Sequence, residues 1–178
     1  MMTQNRPQPS EYAPYFAKYI AAVPDGDLLV TLQSGLREWN SLLANLSEAQ
    51  SEFRYEPGKW SIKEVVGHVS DAERIFAYRA LRIARGDQTP LPGFEQDDYV
   101  KEGNFSARTL ADLLDEFAAI RHSSIALLRS LPSPAWTRRG NASQKEITVS
   151  ALAFIISGHE RYHRSILEQR YLPALPRA

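Results

Sequence analysis

The sequence predicts an all-α fold, a four-helix bundle with a long crossover between its second and third helices. Three observations predict it. Apolar residues recur with helical spacing along four long stretches, and no stretch alternates with period two for long enough to build a sheet. Those stretches carry readable start and stop signals. Between the second and the third lies Gly86 to Phe105, holding two prolines and three glycines. A connection that long is usually a crossover, a lid or a binding loop.

The first long helix begins after Pro24-Asp25-Gly26-Asp27, with Asp27 as N-cap, and carries Leu28, Leu32, Leu36, Trp39, Leu43 and Leu46 on one face. The segment Tyr12 to Ala22 adds a turn or two of helix before it. The second starts at Trp60-Ser61-Ile62-Lys63-Glu64-Val65, where Ser61 and Glu64 form a capping box and Trp60 and Val65 a hydrophobic staple. It runs from Ile62 to about Arg85, with Gly86 after its C-terminus. The third is expected to start at a Ser106 cap, with Phe105 and Leu110 as staple partners. It stops at Leu131, because Pro132 disfavours helical geometry in the residue before it. The fourth runs from near Thr148 to about Arg170, ahead of Pro173.

A chain of 178 residues with 43% hydrophobic content can bury one good core, so a single domain over 1–178 is expected, its core about 25–170. The charges balance, 21 Lys+Arg against 21 Asp+Glu, which leaves no global field to draw the protein onto nucleic acid or an anionic membrane. A small-molecule ligand fits better. Without cysteine, thiolate ligation and cysteine nucleophiles are excluded, and a metal must be held by imidazole, carboxylate or water. MMTQNRPQPSEYAPYF lacks the apolar stretch of a secretory signal, and no segment is apolar enough to span a bilayer. The expected location is the cytoplasm.

On the fourth helix, Leu152, Ile155, Ile156, His159, His163, Ile166 and Leu167 share one face, so both histidines point inward. Four residues apart, their rings lie one turn above each other, a spacing that lets two imidazoles share a metal. His68 lies at the edge of the second helix's apolar arc. It falls roughly 9 Å from that helix's start, and His163 roughly 10 Å from the end of its own, at about 1.5 Å per residue. They come level if the second and fourth helices run antiparallel, which the crossover allows. Each unsatisfied buried ring nitrogen costs on the order of 1–3 kcal/mol. One cation shared by His68, His159 and His163 satisfies all three. His122 points away from the apolar centre of its helix, toward solvent.

Two motif matches fail on inspection. His159-Glu160-Arg161-Tyr162-His163 reads as the H-E-x-x-H of zinc peptidases, with Glu160 as general base. Yet the only carboxylate downstream, Glu168, is too close on the same helix to complete the site, and Arg164, four residues on, offers Glu160 a helix-surface ion pair. Di-iron bundles need E-x-x-H twice, and only Glu160-x-x-His163 is present. Asp71, one turn past His68, is a candidate to orient that imidazole or accept a proton, against the commoner fate of a solvated carboxylate. Arg79 and Arg82, further along, are candidates to hold an anionic group, with ordinary ion pairing the alternative. Tyr99, Glu95 and Asp97 in the long connection are placed to border a pocket.

The runs P-G-K-W-S-I-K-E-V-V-G-H-V-S-D-A-E and G-H-E-R-Y-H-R-S-I-L resemble the DinB superfamily, particularly its YfiT-like branch of metal-dependent enzymes. The resemblance spans about Asp25 to Arg170. It implies a four-helix bundle, a divalent metal on the three histidines, frequent homodimers, and transfer or isomerisation using low-molecular-weight thiols such as bacillithiol or mycothiol. Fold and site carry over better than reaction. Three histidine ligands leave a coordination position open, as a catalytic site requires. The leading expectation is therefore activation of a cosubstrate thiol, with metal-dependent hydrolysis second and metal or small-molecule binding without turnover third. The expected cofactor is one divalent ion, zinc or nickel ahead of iron or manganese, although imidazole ligation suits several metals and does not by itself select one.

Overall fold

The structure, a computed structural model, describes residues 5–175. Its frame is four long helices: α2 (Leu28–Leu43), α4 (Ile62–Ala84), α6 (Leu110–Arg129) and α8 (Val149–Ile166). Short helices α1 (Ala17–Ala22), α3 (Glu48–Ser51), α5 (Gln96–Glu102) and α7 (Ser133–Trp136) fill the connections. None of the helices is long and apolar enough to cross a membrane, among the described residues.

Helix starts follow the chemistry of their caps. Asp27 accepts the amides of Leu29 and Val30. Ser61 Oγ accepts the Glu64 amide at 3.2 Å while the Glu64 carboxylate accepts the Ser61 amide at 2.6 Å. That reciprocal box fixes the start of the helix that carries His68. Gly86 follows α4 at φ +83, the left-handed region where glycine has no steric penalty.

Two expectations are corrected. Helix α6 starts at Leu110 with Thr109 as cap, because Asn104 turns left-handed and Phe105–Ala107 form a separate 3₁₀ turn. Its ring instead seals α4: a Cβ at Gly67 would run into Phe105. Second, the chain does contain a sheet, an antiparallel hairpin of β1 (Arg139–Ala142) and β2 (Lys145–Thr148). With four residues per strand, its alternation is too short to read. It anchors the crossover, since Leu91 donates to Asn141 O and Ser143 donates to Leu91 O, both at 2.9 Å.

Helix directions follow from the side chains that meet. Trp60 lies 6.5 Å from His163 and Phe76 lies 5.8 Å from His159, ring to ring, so α4 and α8 are antiparallel. Glu48 accepts both Lys63 Nζ (2.8 Å) and the Leu110 amide (3.0 Å), which sets the starts of α4 and α6 side by side. Arg121 meets Glu73 further along, so these two run parallel. Arg121 also reaches Leu32 O while Phe117 packs on Trp39, making α2 antiparallel to α6. The order is therefore up, down, down, up, and the long crossover is what lets α4 and α6 point the same way.

The core splits into two apolar clusters, one around Leu32, Phe76, Ile125 and Ile156, the other around Leu36, Val66, Phe117 and Leu167. A polar layer lies between them. Arg121, fully buried, forms a fork with Glu73 (2.8–3.1 Å) and pairs with Glu160 at 3.7 Å. A buried guanidinium tolerates desolvation only with such partners.

Candidate metal centre

His68, from the second turn of α4, meets His159 and His163 of α8 in that same layer. One potential ligand atom from each lies within 4.8 Å of the others. His68 Nε2 and His159 Nε2 are 3.2 Å apart. Two nitrogens bound at 2.0–2.1 Å to a tetrahedral ion sit about 3.3 Å from each other. The pair therefore already stands at the bite a cation requires.

The electrostatics favour ligation. Burial pushes the His68 pKa down to about 4. Burial, aided by His68 and Lys18, lowers His163 to about 3, and burial with the neighbouring His163, His68 and Lys18 drives His159 well below its usual range. All three rings are neutral near pH 7, with lone pairs free to bind a metal. The donor set, three neutral imidazoles and no thiolate, thus fits one divalent ion.

Aromatic rings fix the imidazoles. Trp60 packs on His68 at 4.6 Å, Tyr19 on His159 at 5.2 Å, and Tyr162 on His163 at 5.5 Å. Lys18 covers the outside, 4.6–5.0 Å from Tyr15, Tyr19 and Tyr162. Tyr19 gets this close because α1 lies directly on α8 at Gly158, where any Cβ would overlap the Tyr19 carbonyl.

Two cavities reach the triad. The larger, about 500 Å³, is walled by His68 and His159 and extends past Phe76 to Arg79 and Ser143. The smaller, about 340 Å³, opens on His163 beside Trp60, Lys59 and Tyr55. Gln96 and Asp97, at the start of α5, line both.

The remaining candidates fall in different places. Asp71 pairs with Arg74 at 3.2 Å, and Arg74 with Glu116, in an ion network on the α4–α6 surface; Asp71 lines neither cavity. Glu160 does pair with Arg164 (3.6 Å), but the expected helix-surface setting is corrected: its carboxylate is buried and also accepts the Trp39 indole N–H. It faces α2 and α6, about 100° around α8 from His159. Burial raises its pKa against the pull of Arg121 and Arg164. Arg79 is buried in the cavity wall, whereas Arg82 pairs with Asp87 at the end of α4. Glu95 and Asp97 line the large cavity; Tyr99 borders a neighbouring one. His122 is exposed. Sequence reasoning missed Tyr19, Trp60 and Phe76 as walls of the site and Ser143 as a lining residue. Trp60 could have been found from its place one helical start away from His68.

Comparison with known proteins agrees with this architecture. Among curated protein sequences, none matches the chain. Among solved structures, YfiT from Bacillus subtilis, described as a probable metal-dependent hydrolase with an unusual four-helix bundle topology, superposes with a TM-score of 0.74 at 15% identity, covering 93% of this chain and 91% of that one. A mycothiol-dependent maleylpyruvate isomerase gives 0.65 at 12% identity over 84% of this chain and 63% of that one. The DinB-like protein YjoA of Bacillus subtilis gives 0.58 at 20% identity, over 85% and 96%. At these identities the likeness is one of fold. The DinB superfamily model matches residues 31–167, most of the chain and all three histidines, and this chain belongs to that superfamily.

Proposed function

We propose that the protein is a metal-dependent enzyme in which His68, His159 and His163 hold one divalent ion and two small molecules react beside it. The observation that carries this reading is the pair of cavities that reach the triad by different ligands, one at His68 and His159, the other at His163. A hydrolase needs room for one organic substrate, whereas a transferase or isomerase that uses a cosubstrate needs room for two. A divalent ion there supplies Lewis acidity and holds a thiol as thiolate at neutral pH. Such a nucleophile needs no adjacent general base. That suits the setting of Asp71 and Glu160, both committed to ion pairs away from the cavities. The relatives support the same class of chemistry, since one uses mycothiol and another is described as metal-dependent.

The chain's own residues then do the rest. Trp60, Tyr19 and Phe76 keep the imidazoles in place and exclude water, and Gln96 and Asp97 border both cavities. Hydrolysis is the second reading, favoured by Asp97, the carboxylate that borders both cavities and is placed to accept a proton from water. A homodimer and a cytoplasmic location belong to the same proposal, and sedimentation of the purified chain tests the first.

The test is an assay of metal-loaded protein with low-molecular-weight thiols and soft electrophiles, and separately with chromogenic esters. Wild type is compared with His159→Ala and Asp97→Asn. Conjugation that requires both thiol and metal, lost in His159→Ala and kept in Asp97→Asn, supports the proposal. Ester hydrolysis without thiol, lost in Asp97→Asn, replaces it with the second reading. Metal uptake without turnover in either assay reduces the domain to a binding module.

A further inference from the structure

Of the three buried arginines among the described residues, two have carboxylates: Arg121 pairs with Glu73 and Glu160, and Arg164 with Glu38 and Glu160. Arg79 has none. Only 4% exposed, it donates from Nη2 to Pro92 O at 2.6 Å and to Ser143 Oγ at 3.1 Å, and no acidic group among the described residues comes within ion-pair distance. Its guanidinium carbon is flanked by the Phe76 and Phe94 rings at 6.0 and 5.9 Å, cation–π neighbours that stabilise the charge without neutralising it. A permanently charged group buried without a counter-ion is strongly disfavoured unless something else supplies the anion.

The second observation is strain. Ser143 and Gln144, the turn of the hairpin, have φ of +52 and +62, positions where Asn-Gly is the favoured pair. Serine here is held by the Ser143 amide bonded to Leu91 O, and the result is a hydroxyl aimed at Arg79. Because Ser143 Oγ accepts from Arg79, its own proton remains available to donate. Arg79 and Ser143 both line the large cavity. Its opposite end is the histidine pair: the Phe76 ring stands 5.8 Å from His159 and 6.0 Å from Arg79, so the cation and the imidazole are no further apart than those two steps laid end to end.

We propose that the large cavity takes a carboxylic acid, its carboxylate held by the Arg79 N–H groups that Pro92 and Ser143 leave free, on Nε and Nη1, and by the Ser143 hydroxyl, with its reacting end turned toward His68 and His159. This rests on the metal-centre reading for the reacting end only. Glu95, Asp97 and Lys145 also line the cavity; the two exposed carboxylates disfavour a doubly charged group such as a phosphate monoester beside the one guanidinium, whereas Lys145 is available to the second, separate carboxylate of a diacid.

Glutarate, dimethyl glutarate and methylphosphonate are the probes, titrated into the full chain, metal-free and zinc-loaded, with the backbone amide shifts of Gly93 and Ser143 as readout. Glutarate is expected to saturate both shifts. The diester, the same length without charge, should need about tenfold more, and Arg79→Gln should weaken glutarate by about tenfold. Ser143→Ala should weaken it by about threefold. Should Arg79→Gln fail to fold, Arg79→Lys keeps the charge, loses the separate Nε and Nη1 donors, and is expected to weaken glutarate by about threefold or more. Equal binding of acid and diester, tighter binding of methylphosphonate than of glutarate, or unchanged binding in the Arg79 variants overturns the proposal. Glutarate bound through Arg79 by a chain that takes up no zinc would sink the metal-centre reading and leave this subsite standing. Zinc uptake without glutarate binding does the reverse.

Discussion

The indole N–H of Trp39 donates to the carboxylate of Glu160, the residue that directly follows His159 in the chain. That bond ties the middle of α8 to α2, while His159, about 100° further round the helix, faces α4. Glu160 therefore acts on the site as a support. Glu160→Gln removes the charge that faces Arg121 and Arg164, and breaking a buried pair in this way should lower stability by about 3 kcal/mol. Trp39→Phe removes that donor and leaves space in a fully buried site, and should cost at least about 2 kcal/mol. Urea unfolding measures both, and metal stoichiometry at neutral pH should not change in either. A Glu160→Gln protein with an unaltered urea midpoint and no activity would return this carboxylate to the chemistry.

Removing a ligand should act on metal uptake before anything else. Loss of even an outer partner of a metal site commonly costs about 10–100-fold in affinity, so His68→Ala, His159→Ala and His163→Ala should each exceed about 100-fold. His122→Ala, on the exposed face of α6, should bind as wild type does. Elemental analysis of protein purified without a histidine tag, followed by competition with a chelator of known affinity, gives the comparison. Full occupancy in His68→Ala would remove the cross-helix ligand from the centre.

The metal-free protein should lose stability as pH falls. The folded chain keeps His68 neutral down to about pH 4 and His163 down to about pH 3, whereas in the unfolded chain both take up protons near pH 6.5. Between those values the unfolded state binds more protons, so stability rises with pH through that window and these groups add no slope above it. Each such histidine contributes about 2 kcal/mol of loss at pH 5 relative to pH 8, which for a chain of this size should lower the melting temperature by at least about 5 °C. His68→Gln should flatten that dependence. An equally steep fall in His68→Gln would place its origin elsewhere.

Gly158→Ala tests the contact between α1 and α8. The added methyl would overlap the Tyr19 carbonyl, and neither backbone can give way without moving a helix. Overpacking of this kind costs about 1–3 kcal/mol. Because Tyr19 packs on His159, α1 should also loosen, with faster amide exchange over Ala17–Ala22 than in wild type. Unchanged exchange there would mean that the two helices already have room between them.

Much of this was legible in the residues themselves. Asp27, Ser61 and Thr148 announce three helix starts because a cap is a local interaction, complete within four residues. The inward face of His159 and His163 follows from periodicity, and the meeting with His68 from the crossover that reverses α6. The third helix start was misread because Ser106 has the right side chain but follows Asn104 in a left-handed turn, a backbone choice fixed by the seat of Phe105 on Gly67. Glu73, Arg121 and Glu160 look like surface charges one at a time. Their burial depends on one another, across three helices, and no single helix face contains that information. Arg121 does stand four residues past Phe117 on the apolar stripe of α6, which is the trace it leaves. Ser143 was out of reach altogether, since a strained hairpin turn in a polar segment has no periodic signature.

His68 and His159 stand 91 positions apart in a chain that has no cysteine. An ion held between them would act as a removable staple, and a tie across a loop of that length withdraws about 4–5 kcal/mol of freedom from the unfolded ensemble. Reductant would not open it, while acid and chelators would. The lifetime of the folded chain would then track metal supply, and starved copies would be the first that proteases clear.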